Sequence, residues 1–326
     1  MCVSKAGLTT GCQVTGQRQP GPKMKVNKMF SRLIQCALMV LLGIIWLPVT
    51  AQTGGRVTIL NDAFGKASQL KKDWGWAALI EYNGKRILFD TGNNNELFAH
   101  NVKTLGVDLT KLDFAVISHR HGDHTGGLNH VLDVNPNVTI YAPSEITMFG
   151  TPTRTPSSSR RPTVTLPEYM RYFDGKDPGN AYPTGTPWLK AKFKQIDNLT
   201  EIIPGFFLIP VVSDVAGTKE MRELSMAVMT PKGLVLVVGC AHPGIEKILE
   251  ATTKIDKRIY SVFGGFHLVG TPDPEISRMA TAFRDQWKIE RMAPGHCTGE
   301  FAFAQLQNVF GNNYDYAGVG TVIELE

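Results

Sequence analysis

The chain has 326 residues, of which 43% are hydrophobic and 19% charged, so it carries enough apolar sequence to bury a core. Its formal net charge of +5 is concentrated near the N-terminus, where residues 1–51 hold six Lys or Arg and no Asp or Glu. The rest of the chain has 28 basic and 29 acidic side chains. Because nucleic-acid-binding domains need a cationic surface, this balance argues against a nucleic-acid partner.

Residues 24–52 have the pattern of a secretory signal peptide, in which three cations precede an apolar run over residues 36–47. That run is shorter than the roughly 20 residues of a membrane-spanning helix. We therefore expect cleavage after Ala51, a periplasmic or secreted mature protein, and no stable membrane anchor after cleavage. An uncleaved anchor is the alternative, and Met24 is an alternative start of translation.

The pattern beyond residue 56 predicts strands and helices in a mixed order. Predicted strands cover 57–60, 76–82, 85–89, 114–117, 138–141, 205–212, 226–230, 234–238, 259–263, 289–292 and 320–325, and predicted helices cover 96–105, 244–253, 275–287 and 301–310. Early strands form hairpins and later strands alternate with helices, which predicts an α+β fold with helix-covered sheets. Residues 52–326 are predicted to be one domain with a Pro- and Arg-rich insertion at about 150–190.

Residues 118–127 carry the most informative pattern, because three histidines and one aspartate fall within six positions directly after an apolar strand. His119 and His121 are two residues apart, so an extended segment directs both side chains to the same side. Asp123 and His124 follow at a turn, where they can face a second ion. Imidazole and carboxylate suit zinc and similar divalent ions, so this stretch predicts a metal site.

Three further histidines, His242, His267 and His296, each follow a strand-like segment. Strand ends at one rim of a sheet can gather side chains from distant parts of the sequence, so these residues are candidates for the same site. Cys240 and Cys297 lie within two residues of a histidine. Two cysteines are too few for a disulfide framework in an exported chain of this size. Although the two could pair, their neighbours point to a role in the site.

Five short motifs occur in a recognisable order. They are Asp-Thr-Gly at 90–92, His-x-His-x-Asp-His at 119–124, Gly-Cys-Ala-His-Pro-Gly-Ile at 239–245, Gly-Gly-Phe-His-Leu at 264–268 and Gly-His-Cys-Thr-Gly at 295–299. The first two resemble the signature of the metallo-β-lactamase-fold superfamily. The other three resemble its 7,8-dihydropterin synthase-like (ribofuranosylaminobenzene 5′-phosphate synthase-like) branch, and the likeness covers roughly residues 57–326.

This resemblance implies an αββα sandwich, with two mixed sheets flanked by helices and a metal site at the sheet rim. It implies one ion held by the first two motif histidines and a third histidine, and a second ion held by the motif aspartate, the last motif histidine and one more. The implied ligands are His119, His121, Asp123, His124, His242 and His296. Asp90 is implied to hold the loop that carries the ligands in place without binding the ion itself.

The sequence departs from the superfamily pattern at one ligand position. Where the superfamily usually has an aspartate that bridges the two ions, this chain has Cys240. The usual histidine before the preceding strand is also missing around residues 223–225. Cys240 could ligate as a thiolate, or the site could hold one ion, so one or two ions are expected. His121 favours zinc over a di-iron redox site, with manganese, magnesium and iron as other possibilities.

These features lead to the expectation of an exported metal-dependent hydrolase that uses metal-activated water on an ester, lactone or phosphoester. Asp123 would orient the nucleophile as well as bind metal, and His267 would donate a proton or contact an anion. Arg154, Arg160 and Arg161 would contact an anionic small-molecule substrate if the insertion folds over the site.

Two alternatives remain open. One is a dihydropterin synthase-like transferase that joins a pterin to a ribosyl-aminobenzene phosphate, which the predicted signal peptide disfavours because such substrates are cytoplasmic. The other is a catalytically weak metal-binding protein that lacks the bridging aspartate.

Overall fold

The computed structural model describes residues 54–150, 153–155, 167–170, 182–184 and 186–325. The predicted leader with its cleavage site lies outside these ranges, as do Arg160 and Arg161. The expectations of export and of a Pro- and Arg-rich insertion therefore stay predictions. Within the described ranges, no helix is both long enough and apolar enough to cross a membrane.

The first of two large sheets is mixed and has seven strands. In spatial order they are β15 (Val322–Leu325), β1 (Gly55–Asn61), β2 (Ala77–Tyr82), β3 (Lys85–Phe89), β4 (Phe114–Val116), β5 (Thr139–Pro143) and β8 (Lys192–Ile196). The strands from β15 to β3 are antiparallel, and those from β3 to β8 are parallel. Asn83 and Gly84 join β2 to β3 with positive φ angles at both positions, as a two-residue hairpin turn requires.

The second sheet is also mixed and has six strands. In spatial order they are β14 (Arg291–Gly295), β13 (Ile259–Gly265), β12 (Gly233–Val238), β11 (Arg222–Thr230), β10 (Phe206–Val212) and β9 (Thr200–Ile203). The three strands from β12 to β14 are parallel and the others are antiparallel. Every residue of β12 and β13 is buried, because both faces of this part of the sheet are covered.

Helices cover the outer face of each sheet. On the first sheet they are α1 (Asn95–Thr104) and α3 (Leu128–Val134), and on the second they are α5 (Ile245–Thr252), α6 (Asp273–Asp285) and α7 (Glu300–Phe310). Short helices α2 (Gly122–Thr125) and α4 (Ile146–Phe149) follow β4 and β5, and β6 (Thr153–Thr155) pairs with β7 (Tyr182–Thr184).

Strand β12 shows how the layers are assembled. Val235 and Val237 belong to the core between the two sheets, whereas Leu234, Leu236 and Val238 belong to the core beneath the helices. Successive side chains of a strand point to opposite faces, so an uninterrupted apolar run supplies both cores. Stacking of the four layers gives an αββα sandwich, which confirms the expected fold class.

The sequence did not predict every element. The strands β8 and β9 and the helix α3 were missed, and β11 begins at Arg222 rather than at residue 226. Strand β8 is at the edge of its sheet, and its exposed lysines give it a polar pattern. Strand β14 continues through Pro294. A proline cannot donate a backbone hydrogen bond and is therefore rare in central strands, but it is tolerated here because β14 is at the edge of its sheet.

Candidate metal centre

The candidate site is formed by the segments that follow the carboxyl ends of five strands. Strand β3 leads to Asp90, and β4 leads to the segment with three histidines. Strands β12, β13 and β14 lead to His242, His267 and His296 in the same way. Since β3 and β4 are parallel, as are β12 to β14, each sheet delivers its ligands at a single rim.

The first group of candidate ligands consists of His119, His121 and His242. The Nε2 atom of His119 lies 3.2 Å from Nδ1 of His121 and 3.2 Å from Nε2 of His242. His119 and His242 are buried and His121 is half-buried. Three ring nitrogens from two loops therefore converge on one point.

The second group consists of Asp123, His124 and His296. The Nε2 atoms of His124 and His296 are 3.2 Å apart. One carboxylate oxygen of Asp123 lies 3.4 Å from the His296 nitrogen and 3.9 Å from the His124 nitrogen. The Asp123 side chain is the most accessible of the three, at 20% exposure, so it faces the open side of this group.

A buried hydrogen-bond network orients two of these histidines. Oδ2 of Asp90 accepts from the Ser118 hydroxyl and from Nδ1 of His124, each at 2.7 Å, and Oδ1 accepts from the Ser118 backbone N–H at 2.7 Å. Because the Ser118 hydroxyl donates to Asp90, its oxygen accepts from Nδ1 of His119 at 2.8 Å. Both histidines are thus protonated on Nδ1, and each directs an Nε2 lone pair into the centre.

The donor set fits a divalent metal. Zinc binds imidazole nitrogen at roughly 2.0–2.1 Å, so two tetrahedral imidazole ligands hold their nitrogens about 3.4 Å apart. The separation of 3.2 Å between facing Nε2 atoms is close to this value. In the neutral pair His119 and His242, facing lone pairs without a shared proton repel unless a cation lies between them. The candidate groups support a divalent metal as the cofactor.

Cys240 lies between the two groups. Its Sγ atom and ring nitrogens of His119 and His124 are all within 4.8 Å of one another. The resemblance leads to the expectation of an aspartate that bridges two ions in this region. The Cys240 sulfur occupies it instead, and from there a thiolate could bind a metal ion.

The loop that carries Cys240 and His242 is held by a carboxylate that sequence reasoning missed. Glu223 is fully buried in β11, and its side chain accepts from the backbone N–H groups of Cys240, Ala241 and His242 at 2.7–2.9 Å. Burial raises the pKa of Glu223, although these three hydrogen bonds oppose the rise. The residue lies where a histidine was expected and acts on the backbone rather than on the ion.

A second missed carboxylate fixes the His296 loop. Asp62, at the end of β1, accepts from the backbone N–H of His296 at 3.0 Å and from that of Ala63 at 2.7 Å. Burial raises the pKa of Asp62 to about 7, and the nearby His296 acts in the opposite direction. Position 295 requires glycine, because a Cβ there would lie only 2.8 Å from the Asp62 carboxylate and would clash with it.

The two groups differ in protonation. Burial, together with the neighbouring imidazoles, lowers the pKa values of His119 and His121 and brings that of His242 to about 3. Burial would also lower the pKa of His296, but its contacts with Asp123 and Cys297 raise it to about 10. The first group is therefore neutral and ready to bind metal near pH 7, whereas the second must lose a proton.

The structure thus brings together all six predicted histidine and aspartate ligands, Cys240, and the predicted supporting residue Asp90. His267 is exposed, and its ring centroid lies 4.3 Å from that of His242. Arg154 lies on β6, and Arg160 and Arg161 are not among the described residues, so their contact with substrate stays a prediction. Ser118 was also missed, although its position directly before His119 was a usable signal.

Comparisons with known proteins agree with this geometry. Residues 75–296 match the family model of the metallo-beta-lactamase superfamily. The chain is 29% identical over 297 residues to the 7,8-dihydropterin-6-methyl-4-(beta-D-ribofuranosyl)-aminobenzene-5'-phosphate synthase of Methanocaldococcus jannaschii, over 82% of this chain and 95% of that protein. It is 28% identical over 265 residues to an uncharacterized protein of the same organism, over 76% of this chain and 92% of that one.

Solved structures show the same likeness. The crystal structure of Tm1679, "a metal-dependent hydrolase of the beta-lactamase superfamily", matches with a TM-score of 0.62 and 25% identity, over 83% of this chain and 99% of that one. The fold of YhfI from Bacillus subtilis matches with a TM-score of 0.53 at 14% identity, over 84% of this chain and 100% of that one.

The similarity to the archaeal synthase contradicts the expectation of a hydrolase, whereas the expectation of export stays a prediction. A curated relative matched over 95% of its length is a synthase, which favours the alternative derived from the later motifs. The predicted leader does not decide between the two reactions, because a cellular compartment does not determine the chemistry of the site.

Replacing Asp90 with asparagine is expected to weaken metal binding about 10- to 100-fold, because a neutral amide cannot hold both histidines in the Nδ1-protonated form. Competition with a chromophoric chelator measures the affinity. Asp113→Asn is the matched control, since Asp113 pairs with Lys85 and with the Arg86 backbone away from the centre. Equal affinity in parent and Asp90→Asn would contradict the proposed role of the network.

Metal affinity should depend on pH differently at the two groups. His296 has a raised pKa, so it is protonated from pH 6 to 8, and each unit of lower pH is expected to weaken binding there about tenfold. The first group should show little change over this range. Zinc titrations at pH 6, 7 and 8, in a Cys240→Ser background that removes the thiol proton, would resolve the two slopes. Equal slopes would argue against this assignment.

Proposed function

Because this chain belongs to the metallo-beta-lactamase superfamily, we propose that it is a metal-dependent synthase that joins a dihydropterin to a ribosyl-aminobenzene phosphate. The observation that carries the proposal is the similarity to the archaeal synthase, which extends over 95% of that protein. Such coverage leaves little of that protein without a counterpart in this chain. Zinc is the proposed metal, because five imidazoles and one carboxylate make up the two groups.

The relative's name implies a carbon–nitrogen bond between the 6-methyl carbon of a dihydropterin and the nitrogen of an aminobenzene. The amine nitrogen would attack a methylene carbon that bears a phosphate-type group. The carbon–oxygen bond would break with its electron pair on the oxygen, so that the group departs as an oxyanion, and the amine proton would pass to water. A bound divalent ion would supply Lewis-acid stabilisation of the negative charge on the departing oxygen.

His267 is the side chain best placed to assist the leaving group. It is exposed at the centre, and its hydrogen bond to Cys297 raises its pKa, although partial desolvation of the ring on the side facing the centre opposes the rise. A protonated imidazole at this position would donate a hydrogen bond or a proton to the departing oxyanion. Asp123 stays ionised, because its hydrogen bond to His296 lowers its pKa despite partial burial. Its charge and position suit it to metal binding.

Trp74 provides an aromatic surface beside the centre. Its side chain is 49% exposed, and its ring centroid is 5.2 Å from that of the candidate ligand His296. The flanking backbone is fixed, since the buried amide of Asn61 donates to the carbonyls of Asp73 and Gly75. An exposed indole on a rigid loop next to the metal groups suits a planar bicyclic substrate such as a pterin.

The direct test is a synthase assay with the zinc-loaded protein. The substrates are a dihydropterin with a 6-methylene phosphate-type leaving group and 4-(β-D-ribofuranosyl)aminobenzene 5′-phosphate, and mass spectrometry detects the joined product. We expect turnover in the parent and a loss of at least about a hundredfold in His121→Ala, as for removal of a catalytic electrophile. Absence of product from metal-loaded parent would refute the proposed function.

Trp74→Ala should raise the KM for the pterin substrate about three- to tenfold, which corresponds to loss of an aromatic contact worth about 0.5–1.5 kcal/mol. Trp74→Phe should recover most of the affinity, and metal content should be the same in both variants. Steady-state kinetics with each substrate varied in turn gives the measurement. An unchanged KM for the pterin in Trp74→Ala would remove this residue from the substrate site.

A further inference from the structure

The only two cysteines among the described residues face each other beside the candidate metal centre. The Sγ atoms of Cys240 and Cys297 are 2.9 Å apart, and both side chains are buried and free. We propose that this pair is a redox modification site, at which a peroxide-type oxidant closes a reversible disulfide that withdraws Cys240 from the metal centre.

The fold brings the two sulfurs together in a specific way. Cys240 follows β12 and Cys297 follows β14, and the intervening strand β13 separates these two strands in the sheet. Strand β13 ends in Gly264 and Gly265, so no side chain lies between the two loops at this point. A Cβ on Gly265 would lie only 2.9 Å from the Cys297 sulfur. The glycine therefore leaves the space in which the two thiols meet.

The distance between the sulfurs favours a disulfide over a further metal site. Two thiolates bound to one tetrahedral zinc at about 2.3 Å lie roughly 3.7 Å apart, which is further than the observed 2.9 Å. A disulfide needs a separation of about 2.05 Å, so closure requires a shift of less than about 1 Å. Cys240 lies in irregular backbone after β12, and Cys297 lies in a single 3-10 turn, His296–Thr298, after β14. Both sulfurs therefore lie beyond the ends of the strands, where a shift of this size does not disturb the sheet.

A small oxidant can reach the pair from the side of His267. That residue is exposed, and its Nδ1 lies 3.3 Å from the Cys240 sulfur. Only the His267 side chain therefore separates Cys240 from solvent on this side. The reaction balances with hydrogen peroxide as oxidant. One thiolate attacks a peroxide oxygen and becomes a sulfenic acid, and the second thiol displaces that oxygen. Two thiols and one peroxide thus yield one disulfide and two waters.

The consequence for the centre follows from the position of Cys240. Its sulfur lies in one candidate ligand group with His119 and His124. A disulfide sulfur carries no charge and is tied to Cys297, so oxidation removes both a donor and a negative charge from this group. Metal binding and disulfide formation then compete for the same atom: oxidation weakens metal binding, and bound metal slows oxidation.

The test uses the full chain with Cys2, Cys12 and Cys36 replaced by serine, so that only the proposed pair can react. The metal-free protein is treated with a small excess of hydrogen peroxide, and its digest is mapped without reduction. We expect a linked peptide pair containing Cys240 and Cys297 that dithiothreitol separates. Zinc loading before treatment should slow its formation, and zinc affinity should fall at least about tenfold in the oxidised protein.

Cys297→Ser serves as the control, because it keeps Cys240 but cannot form the link. Unlinked cysteines in the treated parent would overturn the proposal, and so would a link that leaves zinc affinity unchanged. Neither peptide mapping nor zinc titration requires turnover. Failure of this proposal can therefore be distinguished from failure of the proposed synthase function.

Discussion

The candidate centre depends on one buried carboxylate. Asp90 accepts three hydrogen bonds, and together they fix Ser118 and the tautomers of two histidines that belong to different ligand groups. Burial of such a carboxylate is unfavourable unless its hydrogen-bonding capacity is used, so the surroundings must supply donors in this arrangement. Asp90 adopts a left-handed backbone conformation at φ +57° to reach them, which an aspartate tolerates better than most residues.

Two other buried acids hold loops around the centre in a similar way. Glu223 holds the Cys240 loop, and Asp62 holds the His296 loop, in each case through backbone N–H groups. Four of the seven non-glycine residues with positive φ in the described part of the chain lie here, namely Asp90, Ala241, His267 and His296. Strained backbone persists only where neighbouring contacts hold it. Glu223 supplies such a contact to the Ala241 N–H, and Asp62 supplies one to the His296 N–H.

The sequence revealed the ligands better than the residues that position them. His119 to His124 form a dense local pattern, and later histidines follow recognisable strands, so spacing and residue type were sufficient. Glu223 and Asp62 act through backbone groups that are distant in the sequence. A single acid within a strand, like Glu223, or directly after one, like Asp62, gives no such signal. The strand β8 was missed for a related reason, since its edge position tolerates a polar pattern.

The reaction was the least accessible property from sequence. A dinuclear centre stabilises negative charge in hydrolysis and in group transfer alike, so the ligand motifs do not distinguish them. The feature on which the proposed transfer reaction draws lies outside the motifs, namely the exposed Trp74 beside His296. The similarity to the archaeal synthase extends over 95% of that protein, well beyond the short motifs.

We propose that two separate groups of side chains each hold one divalent ion. Elemental analysis of the protein, loaded with zinc and freed of excess metal, tests it most directly when the parent is compared with His121→Ala and His296→Ala. The account predicts two equivalents in the parent and about one in each variant, since each substitution removes a ligand of a different group. No bound metal in the parent, or one equivalent that neither substitution changes, would contradict it.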